Sequence, residues 1–376
     1  MPGPTKKRSR IKITELEGQM GRLAVERGLI NLEQFMEILS AREAEDASAP
    51  LDLVLVSAGY ITEEQAEALT RDAAEAPPPM DRVSLADQCR PIGEPAGRGP
   101  SGVVLKCVLP GQPGPLALKL VSRNTLNEPF VEAFAKASKR AATLEHPGAL
   151  KILEVELRPA DLAVVSEFAE GGSLAQRVQR GGAMQLDAAI DVLLQAAAVL
   201  GHAHKQKLVH ADLKPENLFL LPDRTVKIGD FGHGRADPQW LKSNADKSGS
   251  LVYSMAPEQW LEAPIPATDL YQCGVLWYFM LAGDFPFKGK TFIEIRRKHE
   301  EEEAPVPSSR TAGLPPGADA IASKLLRKDV EDRYASMAEL AAELERLKRG
   351  EPLAAEQKTK PRLRPKPKGF TRRPMA

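Results

Sequence analysis

The stretch Leu208–Leu218 reads LVHADLKPENL, and the tripeptide at 230–232 reads Asp-Phe-Gly. Charged and amide side chains alternate here with apolar ones, so that Asp212, Lys214 and Asn217 stand close together along the chain. Asp and Asn often do no more than cap turns. The complete ordered set, with the second carboxylate at 230, instead indicates a site that positions charge.

These two segments resemble the protein kinase family, and Leu-Lys-Pro-Glu-Asn is typical of its bacterial serine/threonine branch. The likeness extends from about Val83 to Lys348. It implies an α+β fold, the bilobal protein kinase fold, with a β-rich amino-terminal lobe and a helical carboxy-terminal lobe. The implied activity is ATP-dependent phosphorylation of Ser and Thr hydroxyls on protein substrates, a reaction that depends mainly on positioning and electrostatic stabilisation.

The resemblance gives each polar residue of the two segments a task. Asp212 would accept the proton of the substrate hydroxyl, and Lys214 would neutralise charge on the phosphoryl group in transit. Asn217 and Asp230 would hold Mg²⁺, while Gly232 would let the metal loop turn.

A glycine-rich segment upstream is a candidate phosphate loop. Gly97, Gly99 and Gly102 lie between two predicted strand runs, 90–96 and 103–109, in the pattern Gly-x-Gly-x-x-Gly-x-Val. Glycines let backbone N–H groups approach phosphate oxygens without a Cβ in the way. Alone, the pattern also fits a plain glycine hairpin, and no predicted helix follows it directly, which argues against a dinucleotide fold.

Lys119 ends the predicted strand Leu116–Lys119 at the distance from the glycines that the kinase pattern requires. By itself it would be a solvated strand lysine. Together with the other motifs, it is predicted to hold the α- and β-phosphates of ATP.

The family resemblance also implies an adenine site. Residues 166–169 resemble the hinge, where the Glu167 carbonyl and the Ala169 N–H would bond adenine. The ring would be sandwiched by three apolar side chains, Val104, Ala117 and Phe219.

Three residues further along the chain also match the order of the protein kinase pattern. Glu258, in Ala-Pro-Glu, is expected to pair with a buried Arg333. Asp269 is expected to brace the backbone of the catalytic loop, Leu208–Leu218. All three tasks are structural.

The chain departs from the family pattern where a helix glutamate should pair with Lys119. Counting back ten residues from Pro147 reaches Ala137. The predicted helix 130–144 does contain Glu132, but five helical residues rotate that side chain about 140° away. An unpaired Lys119 would orient phosphate less well.

A second departure is Ala211, where regulated members carry an arginine that binds a phosphorylated activation loop. Phosphate at Ser243, Ser248 or Ser250 would lack this guanidinium partner. We therefore expect activity to be independent of the ordinary activation-loop switch. Both departures keep an alternative open, a nucleotide-binding pseudokinase that acts as a scaffold.

A repeat with a shift of 31 residues occupies the amino-terminal part, LAVERGLINLEQ at 23–34 and VLVSAGYITEEQ at 54–65. Each copy predicts helix, glycine, helix. The predicted left-handed helix ends and the caps that follow them are Gly28, Gly59, Asn31 and Thr62.

This unit, residues 14–75, resembles the amino-terminal domain of type II secretion and pilus assembly ATPases, a small all-α module that in some members binds cyclic di-GMP. Asp52 stands where that family has a glycine, and Gln19-Met20-Gly21 replaces its Arg-Leu-Gly opening. A docking or dimerisation module is therefore predicted, because a shared fold fixes packing and not chemistry.

Composition places the chain among ordinary globular proteins. Lys and Arg total 51, as do Asp and Glu, so no overall charge favours nucleic acid or a membrane surface. Three scattered cysteines do not form a disulfide framework or a zinc site. The start lacks the apolar core of a signal peptide, and the stretch 270–281 is too short to span a bilayer. A cytoplasmic protein with no membrane partner is predicted.

The sequence is therefore predicted to divide into five segments. A basic start, 1–13, precedes the module; a Pro- and Ala-rich linker, 76–82, leads to the kinase domain, 83–348, and a basic, Pro-rich tail, 349–376, follows. The tail has the composition of a disordered, solvated segment. Attraction to nucleic acid is the alternative for it.

Overall fold

The computed structural model describes residues 15–30, 34–35, 38, 50–75, 84–99, 102–123, 128–158, 161–232, 251–260 and 264–356. The chain divides into two compact units, 1–83 and 84–376. The predicted start and linker, the tail beyond Glu356, the cap Asn31 and the serines of the activation segment lie outside the described residues. The prediction of a disordered tail is wrong for residues 349–356, because Leu353 is 3% exposed and packs into the core of the second unit.

Three helices of the first unit surround a small apolar core: α1 Glu15–Glu26, α2 Leu51–Ser57 and α3 Glu63–Glu75. Buried side chains recur three or four residues apart, as Met20 and Ala24 do, because only one face of each helix turns inward. Gly28 and Gly59 have φ of 69° and 75°, as predicted for left-handed helix ends. Thr62 caps α3, since its Oγ1 accepts from the Gln65 N–H at 3.2 Å.

A short helix, α4 Leu85–Gln88, opens the second unit and leads into an antiparallel sheet with strand order β1-β3-β4-β6-β5, in which β2 pairs with β3. The strands are β1 Arg90–Pro91, β2 Gly97–Gly99, β3 Gly102–Val108, β4 Leu116–Ser122, β5 Ile152–Leu157 and β6 Asp161–Glu167. The first predicted run, 90–96, is wrong beyond Pro91. Gly93 is left-handed, with φ of 69°, and Pro95 has no N–H to donate to a ladder.

Helix α5, Glu128–Ala141, packs on this sheet with Val131, Phe134 and Ala135 buried against β4 and β6. The helix ends three residues before the predicted Leu144. Beyond Ala141 the hydrogen bonds span three residues instead of four, as in a 3₁₀ turn: the Thr143 N–H donates to the Arg140 carbonyl at 3.2 Å.

The helical lobe follows, with a two-stranded sheet inserted. Its elements are α6 Leu174–Gly181, α7 Leu186–Lys205, β7 Leu218–Leu220, β8 Val226–Ile228, α8 Leu251–Ser254, α9 Pro266–Ala282, α10 Phe292–Glu301, α11 Pro316–Leu325 and α12 Met337–Arg349. Short 3₁₀ turns cover 257–260, 307–309, 330–332 and 354–356. Every residue of α9 from Thr268 to Leu281 is buried, which accounts for its largely apolar sequence. This α+β arrangement is the predicted fold of residues 84–348.

One helix in the described part of the chain, α7, is long and apolar enough to cross a membrane by length and composition alone. Half of its apolar window is buried inside the protein, where Ile190, Leu193 and Leu200 belong to the core of the helical lobe. Core helices pass the same test, so this is a weak indication of a membrane span.

All three cysteines are free thiols and buried. Burial raises the pKa of Cys89 to about 11. Burial also raises the pKa of Cys107, and it raises that of Cys273 well above the ordinary range.

Candidate active site

The catalytic loop is fixed by a single carboxylate from α9. Asp269 has no solvent exposure, and its two oxygens accept from the backbone N–H groups of His210, at 2.9 Å, and Ala211, at 2.8 Å. His204, in the last turn of α7, approaches the same carboxylate with its Nε2 at 2.7 Å. The predicted bracing by Asp269 is confirmed, and His204 is a partner that the sequence did not reveal.

Ala211 adopts a left-handed backbone, with φ of 63°, which is unfavourable for a residue with a Cβ. The surrounding bonds hold it there. Its carbonyl accepts from the side-chain amides of Gln259 and Gln272, at 2.8 and 2.9 Å, and Gln272 also accepts from the Leu213 N–H. These two buried glutamines carry no sequence signature, because each lies far along the chain from the backbone it holds.

His210 connects the catalytic loop to the metal loop, 229–232. Its Nε2 lies 2.8 Å from the Gly229 carbonyl, while its Nδ1 accepts from the Asp212 N–H at 3.2 Å. This pairing requires a neutral ring with the proton on Nε2. Complete burial lowers the pKa of His210, which keeps the ring neutral. The ring also contacts Phe231, with centroids 4.5 Å apart.

Asp212, Lys214 and Asn217 form one buried polar cluster. Lys214 Nζ lies 3.0 and 2.8 Å from the two oxygens of Asp212, and Asn217 Nδ2 donates to the Asp212 Oδ2 at 3.1 Å and to its carbonyl at 2.9 Å. Burial alone would lower the pKa of Lys214, but the Asp212 carboxylate outweighs it and the pKa is raised. The cluster thus keeps Lys214 charged beside a carboxylate.

Lys119 pairs with Asp230 across the cleft between sheet and helical lobe. Its Nζ lies 2.7 Å from the Asp230 Oδ2. Asp230 has a φ of 59°, so a left-handed turn directs this carboxylate back toward β4. Asp230 also acts electrostatically on Lys214, as Asp212 does. The structure therefore brings the five predicted catalytic and metal residues into one region.

The strands β2 and β3 form the glycine hairpin, with Gly97 opposite Val104 and Gly99 opposite Gly102. Its tip, Pro100 and Ser101, lies outside the described residues. Gly102 has φ of 136°, and a Cβ there would stand 2.0 Å from the Leu120 carbonyl oxygen. Only glycine fits this close approach of β3 to β4.

The strand register places two of the residues predicted for the adenine site, Val104 and Ala117, on the same face of the sheet as Lys119. Val104 is opposite Lys119, and Ala117 is opposite Ser166 at the end of β6. Phe219 lies in β7, within van der Waals reach of the position a Cβ on Gly229 would take.

The hinge is held by side chains of both lobes. The Glu167 carboxylate accepts from the Lys151 N–H and from Lys227 Nζ, at 2.8 and 2.6 Å. The Ser166 hydroxyl donates to the Glu167 carbonyl at 3.2 Å, so the oxygen predicted to bond adenine already has one donor. Ala169, half-buried, follows two residues later.

The structure bears out the predicted gap in helix α5. Ala137 faces the metal loop, since its Cβ lies 3.3 Å from the position that a Cβ on Gly232 would occupy. Glu132 is exposed, as its rotation about the helix predicts. Ala137 and Ala211, the two departures from the family pattern, line the same cavity of about 330 Å³, together with Lys136, Arg140 and Lys207.

Below the catalytic loop, Glu258 and Arg333 form the predicted buried pair. Arg333 Nη1 and Nη2 each donate to a Glu258 oxygen at 2.8 Å, a bidentate arrangement. Burial would raise the pKa of Glu258, but Arg333 outweighs it and the pKa falls below its ordinary value of 4.5.

The donor set around Asp230 and Asn217 suits a hard divalent cation. A carboxylate and an amide oxygen are the ligand types that Mg²⁺ accepts, and Mg²⁺ completes its shell with water and substrate phosphates. The amide nitrogen of Asn217 is engaged with Asp212, which turns the amide oxygen away from that carboxylate. Among the described residues, no group of three or more His, Cys, Asp or Glu side chains is placed to hold a metal ion.

An antiparallel sheet followed by a helical lobe, with the Lys119–Asp230 pair joining the two, is the arrangement expected of the bilobal protein kinase fold. Residues 92–344 match the protein kinase domain family. The chain belongs to this family.

Curated relatives agree with the serine/threonine branch. The serine/threonine-protein kinase PknB of Mycobacterium leprae is 31% identical over 245 residues, which cover 63% of this chain and 39% of that protein. A probable serine/threonine-protein kinase of Clostridium perfringens is 30% identical over 225 residues, 59% of this chain and 33% of that protein. This chain thus spans between about a third and two fifths of the length of these relatives. The predicted membership of the protein kinase family is thereby confirmed.

Proposed function

We propose that this protein transfers the γ-phosphoryl group of ATP to serine or threonine hydroxyls of protein substrates. One observation carries the proposal: the Asp212–Lys214–Asn217 cluster and the Lys119–Asp230 pair meet in one cleft. Asp212 and Lys214, which phosphoryl transfer requires and nucleotide binding does not, are thereby kept in contact. A protein that used the cleft merely to hold a nucleotide would have no need of Asp212 beside Lys214.

In this proposal Asp212 receives the proton of the attacking hydroxyl while that oxygen bonds to the γ-phosphorus and the bond to the ADP oxygen breaks. Lys214, kept charged by the neighbouring Asp212 carboxylate, stabilises the negative charge of the transferring group. Lys119 orients the α- and β-phosphates, and the backbone of Gly97, Gly99 and Gly102 approaches them. Asn217 and Asp230 would hold Mg²⁺, which supplies charge neutralisation when bound.

The test is phosphorylation by the full chain with radiolabelled ATP and Mg²⁺, beside Asp212→Asn. The expected result is labelling of a serine- or threonine-containing protein that falls about 10³-fold in the variant, the loss typical of a missing general base. A matched control is Asp191→Asn, because Asp191 forms an exposed pair with Lys348 outside the cleft. Equal labelling by the wild type and Asp212→Asn would contradict the proposal.

The alternative is a nucleotide-binding scaffold, and Ala137 is the observation that favours it. Helix α5 presents no carboxylate there, so Lys119 relies on Asp230, the same group assigned to Mg²⁺. Binding of Mg·ATP without any phosphotransfer, in wild type and variant alike, would establish the scaffold.

Two further expectations belong to the same proposal. The first unit, residues 14–75, would serve docking or dimerisation, as its resemblance to the secretion ATPase module suggests. The kinase would act in the cytoplasm, with the basic tail in solvent rather than on nucleic acid. Deletion of residues 1–80 with no change in oligomeric state or in any protein partner would contradict the first expectation.

A further inference from the structure

Phe134 contacts Lys119 from the helix that should provide a carboxylate. The Lys119 Nζ lies over the face of the Phe134 ring, 4.9 Å from its centroid. Phe134 stands three residues, about one helical turn, before Ala137 on the same helix. The ring therefore lies on the face of α5 that the missing glutamate would have used.

The ring is held firmly enough to position the lysine. Phe134 is 4% exposed and packs among Val121 of β4, Leu162 and Val164 of β6, and Val131 of its own helix. Lys119 is itself largely buried, with 12% of its side chain exposed. A desolvated ammonium over an aromatic face is attracted more strongly than one in water.

An aromatic partner differs from a carboxylate in one respect that matters for phosphate. The ring attracts the ammonium through its quadrupole and carries no net charge, so it leaves the full positive charge of Lys119 available. Asp230 neutralises part of that charge and is also the group assigned to Mg²⁺. Phe134 is the contact from α5 that directs the ammonium without competing for it.

We propose that Phe134 is a positioning residue that aims Lys119 at the nucleotide phosphates in place of the absent helix glutamate. This inference rests on the proposed function, because it concerns the same nucleotide site. Phe134 would affect nucleotide binding only through its contact with Lys119.

The experiment measures the Kd of Mg·ATP for the full chain by titration calorimetry, and kcat and KM for ATP where transfer is observed. Phe134→Leu removes the ring but keeps an apolar side chain, and we expect the Kd to rise about tenfold, the loss of a desolvated cation–π contact. Phe134→Tyr keeps the ring and should restore the affinity. Phe130→Leu is the matched control, the same change one turn earlier on α5, where the half-buried ring lies 6.2 Å from that of Phe134.

A double-mutant cycle separates positioning from packing. In a Lys119→Met background, Phe134→Leu should change the Kd no further, because the ring then has no ammonium to aim. Thermal denaturation of each variant checks folding, and Phe134→Met replaces Phe134→Leu if the latter does not fold.

Equal effects of Phe134→Leu and Phe130→Leu, or a full effect of Phe134→Leu without Lys119, would overturn the inference. Failure of the proposed function would look different. In that case no phosphotransfer would be observed, while the expected differences in Kd among the Phe134, Phe130 and Lys119 variants would still be found. A wild-type chain that did not bind Mg·ATP would overturn both the proposed function and the inference about Phe134.

Discussion

The catalytic loop and the lysine strand β4 share one cleft but are fixed in different ways. Ala211 in the loop has its N–H bonded to Asp269 and its carbonyl bonded to Gln259 and Gln272, all buried side chains of the helical lobe. Lys119 has Asp230 and the ring of Phe134 as its contacts, and that carboxylate is 32% exposed. The half of the site that is proposed to aim the substrate hydroxyl is thus held by several buried hydrogen bonds. The half that is proposed to aim the nucleotide is held by one ion pair and one ring contact.

The largest effect outside the transfer step is expected from Asp269→Ala. The variant leaves the buried N–H groups of His210 and Ala211 without an acceptor, and we expect a loss of about 3–5 kcal/mol in the free energy of unfolding. Chemical denaturation followed by tryptophan fluorescence measures it, because Trp277 lies in the same lobe.

Asp191→Ala is the control for this change, since it removes a carboxylate that pairs with Lys348 at the surface. An exposed pair contributes about 0–1 kcal/mol. Equal losses from Asp269→Ala and Asp191→Ala would show that the loop is not fixed by its buried carboxylate.

Substitutions in the glycine hairpin of β2 and β3 test the part of the site that is built from the sheet and is proposed to hold the nucleotide. Gly102→Ala places a Cβ against the Leu120 carbonyl at a φ of 136°, and we expect a loss of about 2–3 kcal/mol in unfolding free energy. Gly99→Ala is its matched control, because no atom lies within 4 Å of a Cβ at Gly99. Equal losses of unfolding free energy in Gly102→Ala and Gly99→Ala would show that the close strand approach at Gly102 carries no special cost.

Acid should weaken the helical lobe through Glu258. Because Arg333 depresses the pKa of Glu258 in the folded chain, the stabilisation is present above the ordinary pKa of 4.5 and is lost as the pH falls through the folded value. Unfolding free energies measured from pH 6 down to pH 3 should decline less steeply in Glu258→Gln. A slope identical to that of the wild type would contradict this assignment.

The smallest effect is expected from Glu132→Gln. Glu132 is the acidic side chain of α5 that stands nearest in sequence to Ala137, yet it is exposed on another face. We expect changes in stability and in Mg·ATP affinity of less than about 0.5 kcal/mol. A rise in Kd comparable to that of Lys119→Met would mean that Glu132 reaches the lysine after all.

Residues whose tasks follow from order along the chain could be predicted from the sequence. Asp269 beneath the loop and the Glu258–Arg333 pair lie where the resemblance to the kinase family put them, because that resemblance fixes their order along the chain. The absent glutamate at Ala137 and the outward rotation of Glu132 also followed from counting helical residues.

Contacts that depend on how elements pack could not be predicted. Phe134 reaches Lys119 only because α5 lies against β4 and β6 at one particular rotation, and nothing in its sequence distinguishes it from any core phenylalanine. The same holds for Gln272, which sits in an apolar helix and turns toward a backbone carbonyl some sixty residues away in sequence. The early end of strand β1 was not predicted either, because it depends on the left-handed backbone of a single glycine, Gly93.

The burial of the three cysteines makes the chain convenient for spectroscopy. Alkylating reagents attack the thiolate, and thiols that are buried with raised pKa values supply very little of it near neutral pH. A cysteine introduced at a solvent-facing position, such as Ile293 on α10 with 68% of its surface exposed, would therefore take up a fluorophore almost alone. The native thiols need not be removed first.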